Sequence, residues 1–252
     1  MCRLMGFVAQ PPRSLREVIT AREYQSFEEF SRGRHSDGWG VAWCEDSHVH
    51  MQKEAVPAYS SAQYQSLTDQ PFDAALVHYR WATLSLEVDT GNTHPFRIDT
   101  TAFAHNGSIS PPDSLDALID PDYARDLEGS TDSERYFRVV LSESHHQGPR
   151  DGLRSAVMKI AERLHYSSLN ALLLTPEYLY AACWYSDAPL PEDLPDDYYE
   201  MRYLIRDGAV TIASSGWDQS GWEVLGNGNM LSISRRTGEA EVLPISMARD
   251  SR

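Results

Sequence analysis

The stretch MCRLMGFVAQ, residues 1–10, places a cysteine directly after Met1 and continues as a largely apolar run. Residues 3–9, RLMGFVA, predict a β-strand because apolar side chains fill nearly every position. Cys2 then has two interpretations. It is either a small apolar residue at a sheet edge or a thiol that the protein needs near its N-terminus. Taken alone, the stretch favours the first interpretation, since most such cysteines are simply buried.

The rest of the chain predicts strands on either side of a helical middle. Residues 36–44, SDGWGVAWC, predict a glycine-punctuated turn that leads into a strand, and residues 49–54 form its partner in a hairpin. Mixed helical periodicity covers 15–30. Helices are also expected at about 132–145 and 150–165. Further strands are expected at 73–80, 100–105, 169–175, 178–185, 201–207, 209–215, 230–236 and 239–245.

This order of elements predicts an α+β protein built from antiparallel sheets, because the doubly wound folds alternate strand and helix throughout. Asn106-Gly107 predicts a tight turn directly after the strand at 100–105. No shift in composition marks a boundary, so we expect a single domain over residues 1–252.

The composition excludes several classes of partner. The chain has 252 residues, a formal net charge of −15, 41% hydrophobic residues and 23% charged residues. A strongly acidic protein is repelled by nucleic acid and by anionic lipid surfaces, so neither is an expected partner. The sequence contains no apolar run of transmembrane length, and we expect no secretory leader and a cytoplasmic protein.

The cysteines and histidines predict neither a disulfide framework nor a metal site. Cys2, Cys44 and Cys183 are odd in number and form no CxxC pair. Cys44 and Cys183 lie in apolar, strand-like surroundings and are expected to be buried. The histidines, His145-His146 included, lack ligand spacing. We therefore expect no metal and no cofactor.

An acidic, proline-rich segment, SDAPLPEDLPDDYYE, covers residues 186–200 and carries six carboxylates. Such a charge run is expected to form a solvated loop between two strands. Its alternative role is to line a cleft and repel anionic compounds.

Cys2 would gain a base of its own if Met1 were removed. Aminopeptidases remove an initiator methionine when a small residue follows it, and cysteine qualifies. The freed α-amine has a pKa of about 7.7–8.0, so it is partly neutral at physiological pH and can accept the thiol proton. An N-terminal cysteine is therefore a nucleophile that carries its own general base.

Four other motifs could complete such a site. AHNGS (104–108) offers the Asn106 side-chain amide and the Gly107 N–H as donors to an oxyanion, although an ordinary hairpin turn explains the same residues. Arg80, at the end of the strand in HYRWAT (78–83), suits a substrate carboxylate. Asp132, in STDSERYF (130–137), could bind an ammonium group; alternatively it belongs to a helix start capped by Ser130 or Thr131. His94, in NTHPF (92–96), is either exposed or part of a pocket wall.

The order of these motifs resembles that of the class II glutamine amidotransferase domain, one of the N-terminal-nucleophile hydrolases. The resemblance runs from Cys2 to about Tyr136. It implies a four-layer αββα sandwich with two antiparallel sheets. It further implies that Cys2 is the nucleophile, that Asn106 and Gly107 form the oxyanion hole, and that Arg80 and Asp132 hold the head group of glutamine or a γ-glutamyl moiety. Trp81, Thr83 and His94 match pocket positions.

The chain also departs from the larger members of this family. It has no phosphate-binding loop, and we expect the amidase fold to take up nearly all of the 252 residues. It thus looks like the stand-alone branch that includes the γ-glutamyl hydrolase of ergothioneine biosynthesis. Leu84 follows RWAT where synthetase relatives often carry histidine.

Three functions follow from this resemblance. The leading hypothesis is a cysteine-dependent amidohydrolase that cleaves glutamine or another γ-glutamyl amide through a thioester on Cys2. The second is a glutaminase subunit that supplies ammonia to a separate synthase. The third is a γ-glutamyl-binding module without catalysis. The expected partners are a small-molecule substrate and either a synthase or a second copy of the chain.

Overall fold

The computed structural model describes residues 2–82, 87–125, 127–192 and 194–245. Within these ranges the chain forms thirteen β-strands, five α-helices and three short 3-10 helices. The strands are β1 (Arg3–Arg13), β2 (Gly38–Glu45), β3 (His48–Glu54), β4 (Phe72–Arg80), β5 (Phe96–Ile98), β6 (Thr101–Ser110), β7 (His165–Leu174), β8 (Tyr178–Cys183), β9 (Met201–Arg206), β10 (Ala209–Ser214), β11 (Glu223–Val224), β12 (Asn229–Ser234) and β13 (Ala240–Pro244). The α-helices are α1 (Leu15–Val18), α2 (Ala21–Glu29), α3 (Ala62–Thr68), α4 (Asp132–Gln147) and α5 (Pro149–Arg163), and the 3-10 helices are Phe30–Arg32, Ala58–Ser60 and Pro112–Leu118.

The strands form two antiparallel sheets. The first has the order β11-β9-β10-β1-β4-β2-β3, and the second has the order β13-β12-β8-β7-β6-β5. The predicted α+β class with two antiparallel sheets is confirmed. Strands β5 and β11 were not predicted from the sequence, because three and two residues are too short to show a period.

Three apolar cores separate four layers of structure. One core lies between the sheets and includes Leu4, Leu76 and Leu172. A second core joins the other face of the first sheet to α1, α2 and α3, and a third joins the second sheet to α4 and α5. The layers are therefore helix, sheet, sheet and helix, as expected.

Strand β1 shows why the opening stretch is apolar on both faces. Leu4 and Val8 point into the core between the sheets, whereas Met5 and Phe7 point into the core beneath the helices. All four side chains are fully buried. A strand that is covered on both faces has no solvent side, so its sequence is a continuous apolar run rather than an alternating one.

The helical periodicity over residues 15–30 belongs to two helices, α1 and α2, rather than to one. The break falls at Ile19-Thr20. Thr20 begins the second helix with a capping box, because its Oγ1 accepts from the Glu23 N–H at 3.2 Å and its own N–H donates to Glu23 Oε2 at 2.6 Å. This reciprocal pair of hydrogen bonds satisfies two backbone N–H groups at the helix N-terminus, so a new helix begins there.

The predicted turn at Asn106-Gly107 is wrong. Strand β6 continues through both residues, and they pair with Asn170 and Leu169 of β7. The register shifts between Gly107 and Ile109, which is a bulge rather than a turn. The long-range pairing with β7 overrides the local preference of an Asn-Gly pair, and glycine at the bulge reflects a close backbone approach.

Candidate functional site

Cys2 lies just before β1, at the end of the first sheet where β4 finishes. Because β1 and β4 are antiparallel, Arg3 pairs with Tyr79, and the residues after β4 come next to Cys2. The Cys2 thiol points to the Trp81 carbonyl, with an Sγ···O distance of 3.7 Å. Sheet pairing thus brings together two segments that are 79 residues apart.

The residues after β4 are held in place by the segment 36–44. Asp37 Oδ2 accepts from the Ala82 N–H at 2.8 Å, and the Asp37 N–H donates to the Arg80 carbonyl at 3.2 Å. Gly40 allows the loop before β5 to pack closely, because a Cβ there would lie 2.1 Å from the His94 carbonyl oxygen. The predicted hairpin therefore supports the backbone next to Cys2.

A cavity of about 180 Å³ lies beside Cys2. It is smaller than the roughly 300–1,000 Å³ typical of drug-sized ligand sites, so it suits an amino-acid-sized group. Its lining residues come from both sheets and from the start of α4: Cys2, Arg80, Trp81, Ala82, Asn92, His94, His105, Gly107, Ser108, Thr131, Asp132 and Ser133.

Six of the eight candidate residues therefore meet around one cavity. Asn106 lies next to them and is buried, and its Oδ1 has no hydrogen-bond partner among the described residues, but it does not line the cavity. Thr83 and Leu84 lie outside the described residues. The residues of this group that the structure describes share one location, although they come from distant parts of the chain.

Arg80 presents a buried positive charge to the cavity. Its Nη2 donates to the Glu87 carbonyl at 2.7 Å and its Nη1 to the Asp89 carbonyl at 3.4 Å. Burial lowers the pKa of Arg80, while the nearby thiol of Cys2 and two carboxylates oppose that shift. None of the carboxylates in the described part of the chain forms an ion pair with Arg80. The guanidinium thus remains able to attract an anionic group.

Asp132 is the first residue of α4, and its neighbour Thr131 is the cap. The Thr131 hydroxyl oxygen accepts from the Glu134 N–H at 3.1 Å. Asp132 Oδ2 accepts from the Ile109 N–H at 2.6 Å, and Oδ1 accepts from the Ser133 N–H at 2.8 Å. The capping role thus falls to Thr131, one of the two predicted caps, while the Asp132 carboxylate faces the cavity.

Gly107 occupies a position where only glycine fits. A Cβ at this residue would lie 1.8 Å from the Ser168 carbonyl oxygen and 2.6 Å from His105 Nε2. Both distances are far below normal contact. Glycine thus permits the close packing of β6 on β7 that brings this backbone to the cavity.

His94 is buried, which decides between its two predicted settings. Its ring stacks on His78, with a centroid separation of 4.2 Å, and meets Phe96 edge-on at 4.7 Å. Burial lowers the pKa of His94 well below its usual value, and neighbouring positive groups act in the same direction. His94 is consequently a neutral wall of the cavity at physiological pH.

The sequence did not single out His105 and Ser133, which connect the two sides of the site. Ser133 Oγ and His105 Nδ1 are 2.9 Å apart, and His105 Nε2 lies 2.9 Å from the Ser168 carbonyl. The carbonyl only accepts, so Nε2 carries a proton. Burial lowers the pKa of His105, and in the neutral ring Nδ1 accepts from the Ser133 hydroxyl, which also lies 3.3 Å from Asp132 Oδ1. Both residues stand next to candidate residues in the motifs AHNGS and STDSE, and that adjacency was the one available signal.

Cys2 is the cysteine that is partly exposed as a residue. Cys44 and Cys183 are buried, and burial raises the pKa of each to about 12. Burial also raises the pKa of Cys2, against the opposing effects of a backbone hydrogen bond from Trp81 and of the positive charges of Arg80 and Arg3. A thiol with a raised pKa is protonated at neutral pH, so any nucleophilic role requires a base.

The described residues contain no cluster of three or more histidine, cysteine, aspartate or glutamate side chains that could hold a metal ion. Across the same ranges, no helix has both the length and the apolar character needed to cross a membrane.

The four-layer arrangement is that of the N-terminal-nucleophile hydrolases. The glutamine aminotransferase class-II domain protein SPO2029 from Silicibacter pomeroyi superposes with a TM-score of 0.68 at 20% identity, over 98% of this chain and 100% of the other. The Bacillus subtilis glutamine phosphoribosylpyrophosphate amidotransferase superposes with a TM-score of 0.69 at 18% identity, over 98% of this chain and 50% of the other. At these identities the likeness shows the fold.

The chain belongs to the class II glutamine amidotransferases, because the sequence model of that family matches residues 1–194. The Escherichia coli K12 protein YafJ is 30% identical over 195 residues, which is 73% of each chain. The γ-glutamyl-hercynylcysteine sulfoxide hydrolase of Mycobacterium tuberculosis is 22% identical over 248 residues, or 94% of each chain.

Proposed function

We propose that this protein hydrolyses a γ-glutamyl amide, with Cys2 as the nucleophile after removal of Met1. The observation that carries the proposal is the meeting of Cys2, Arg80 and Asp132 around one small cavity. The Cys2 thiol would attack the γ-carbonyl carbon of a γ-glutamyl group. The Arg80 guanidinium would bind its α-carboxylate, and the Asp132 carboxylate would bind its α-ammonium. Family membership and the hydrolase name of one relative support the same reaction class.

In the proposed reaction the α-amine of Cys2 takes the thiol proton. Sγ then bonds to the γ-carbonyl carbon, and the C–N bond breaks as the proton passes to the leaving nitrogen. Water next cleaves the thioester, which releases glutamate and restores the thiol. The raised pKa of the Cys2 thiol supports the need for this base, since no thiolate stands ready in advance.

The developing oxyanion would be bound by the Asn106 side-chain amide and the Gly107 N–H. Such donors lower the barrier because they are already aimed at the charge when it forms. The packing of Gly107 against Ser168, and of His105 between Ser133 and Ser168, supports a rigid backbone at this point. His105 and Ser133 would act as positioning residues.

We further propose that the chain forms one catalytic domain, because the site takes residues from both sheets and from α4. Neither sheet alone would provide all of the proposed catalytic and substrate-binding residues. The leaving group is ammonia when the substrate is glutamine and a larger amine when it is another γ-glutamyl compound.

The test is release of glutamate from glutamine and from a γ-glutamyl anilide by protein whose N-terminus has been confirmed by mass spectrometry. We expect release by the wild-type protein and no measurable release by Cys2→Ala. Cys44→Ala is the matched control, because Cys44 lies in the core between the sheets and its loss should affect stability alone. Equal activity of Cys2→Ala and wild type would overturn the proposal.

The same assay separates the two alternative functions. A protein that is silent alone and active only with a synthase would be an ammonia-supplying subunit. A protein that binds glutamate yet is never trapped at Cys2 by an electrophilic glutamine analogue would be a binding module.

A further inference from the structure

A second cavity, of about 510 Å³, lies beside the first and shares Trp81 with it. Consecutive residues line the two cavities, because Cys2 lines the first and Arg3 lines the second. The remaining wall comes from the end of α2 and the segment after it, from residues 194–198, and from Gly216 and Trp217. A substrate that extends past the Cys2 thiol would therefore enter this second space.

The second cavity has aromatic walls. Phe30, Trp81, Tyr198 and Trp217 all line it. The ring of His35 lies between two of them, with centroid distances of 5.1 Å to Phe30 and 5.6 Å to Trp81. Flat rings of this kind suit an apolar or aromatic group.

Arg3 places a positive charge among these rings. Its guanidinium carbon lies 4.8 Å from the Phe30 ring centroid and 5.0 Å from that of Tyr198. The residue is 4% exposed and its Nη1 donates to the Cys2 carbonyl at 3.2 Å. It also forms a side-chain hydrogen bond with Tyr198 and is attracted by Asp197, whereas its Nε has no hydrogen-bond partner in the described ranges. No ion pair joins Arg3 to a described carboxylate. Such a buried cation favours an anionic ligand group.

The other charged residues of this lining are one cation, Arg34, and one carboxylate, Glu29. The guanidinium carbon of Arg34 lies 5.2 Å from the Trp81 ring centroid. Glu29, a carboxylate in the wall, pairs with Arg32 at 3.7 Å, which offsets its charge.

The acidic segment 186–200 does not line the cavity with described carboxylates. It contributes Leu194, Pro195 and Tyr198 instead. Two of its carboxylates, those of Asp197 and Glu200, pair with Arg202 at 3.1 Å and 2.8 Å. The geometry therefore does not support a cleft that repels anionic compounds, which was the alternative drawn from the sequence.

We propose that the second cavity binds the amine half of the substrate, and that this amine is an amino acid with an apolar or aromatic side chain. Its carboxylate lies on Arg3 and its side chain lies between the aromatic walls. The inference rests on the proposed function and makes γ-glutamyl dipeptides the preferred substrates. Glutamine, whose leaving group is ammonia, would leave this cavity unfilled.

The test compares γ-glutamyl-phenylalanine with its C-terminal amide, which differs in the charge that Arg3 would recognise. Binding is measured by calorimetry on the Cys2→Ala variant, so that turnover does not interfere. We expect the acid to bind at least about tenfold more tightly than the amide, as for other charge-assisted contacts. Adding Arg3→Gln should bring this ratio near one, and Arg3→Lys should retain part of it.

Arg97→Gln, in the same background, is the matched control. Arg97 is exposed, lies on β5 away from the cavity and donates only to the Asp99 carbonyl in the described part of the chain. It should leave the ratio unchanged. Equal binding of acid and amide by the variant that retains Arg3 would overturn the inference, whether or not Arg3→Gln folds.

Glutamate release by the wild-type protein is measured in parallel, which keeps the two proposals distinguishable. Hydrolysis of glutamine without any preference for the acid contradicts only the assignment of the second cavity. Tight, acid-selective binding without release of glutamate from any γ-glutamyl compound contradicts the hydrolase and supports the cavity assignment.

Discussion

Asp132→Asn separates the structural role of this residue from its proposed role in binding. The substitution keeps the shape of the side chain and removes its charge. Because Thr131 caps α4, the helix should begin at the same residue in the variant. The variant loses a favourable charge in the first turn, worth about 0.3–1 kcal/mol, and weakens one of the two backbone contacts, worth about 1 kcal/mol.

We therefore expect the free energy of unfolding to fall by about 1–2 kcal/mol. The substitution should affect kcat/KM more strongly than it affects the free energy of unfolding. A charge-assisted hydrogen bond to the substrate ammonium is worth about 1.5–3 kcal/mol. At about 1.4 kcal/mol for each factor of ten, its loss lowers kcat/KM by about 10- to 150-fold.

The assays are glutamate release and urea unfolding, with Ser61→Ala as the control. Ser61 caps α3, away from the cavity, by accepting from the Tyr64 N–H at 3.1 Å. Its loss should cost about 1 kcal/mol of stability and leave kcat/KM unchanged. If Asp132→Asn keeps kcat/KM within about twofold of wild type while losing the expected stability, the carboxylate is structural and our reasoning is refuted.

Two further predictions concern the fold. Gly107→Ala should lower the free energy of unfolding by at least about 2 kcal/mol, because its Cβ would lie 1.8 Å from the Ser168 carbonyl oxygen; Gly33→Ala, whose nearest contact would be 3.9 Å, is the control, and equal losses would contradict the packing argument. Burial pushes the pKa of Glu23 upward, but hydrogen bonds, led by that from Trp222, lower it from 4.5 to about 2. A depressed pKa stabilises the fold above the unfolded value, so the stability difference between wild type and Glu23→Gln should shrink as the pH falls from about 5 to 2 in urea titrations. A stability difference that stays constant with pH would show that the Glu23 charge contributes nothing to the free energy of unfolding.

The layers of the fold could be predicted from the sequence, because the strands on both faces of the inter-sheet core are strongly apolar. Strand β1 is the clearest case, with Leu4 and Phe7 buried on opposite faces. The secondary-structure prediction was wrong where pairing with a distant part of the chain decides the backbone conformation. Asn106-Gly107 prefers a turn locally, yet pairing with β7 holds it in a strand.

The candidate site could be predicted only as a set of residue types. The motifs around Cys2, Arg80 and Asp132 resemble those of one family, and the structure places these three residues around one cavity. The contact of His105 with Ser133 could not be predicted, since it joins residues 28 positions apart through side chains with many ordinary uses. The second cavity could not be predicted from the sequence either, because its walls come from five separate segments of the chain.

Covalent labelling with a diazoketone analogue of glutamine, followed by intact-mass and peptide analysis, tests the central claim most directly. We predict one adduct per chain, located on Cys2 of protein that has lost Met1. Cys44 and Cys183 should remain unlabelled, because both are buried and burial raises the pKa of each to about 12. Labelling of a chain that retains Met1, or an adduct on either buried cysteine in place of Cys2, would contradict the account.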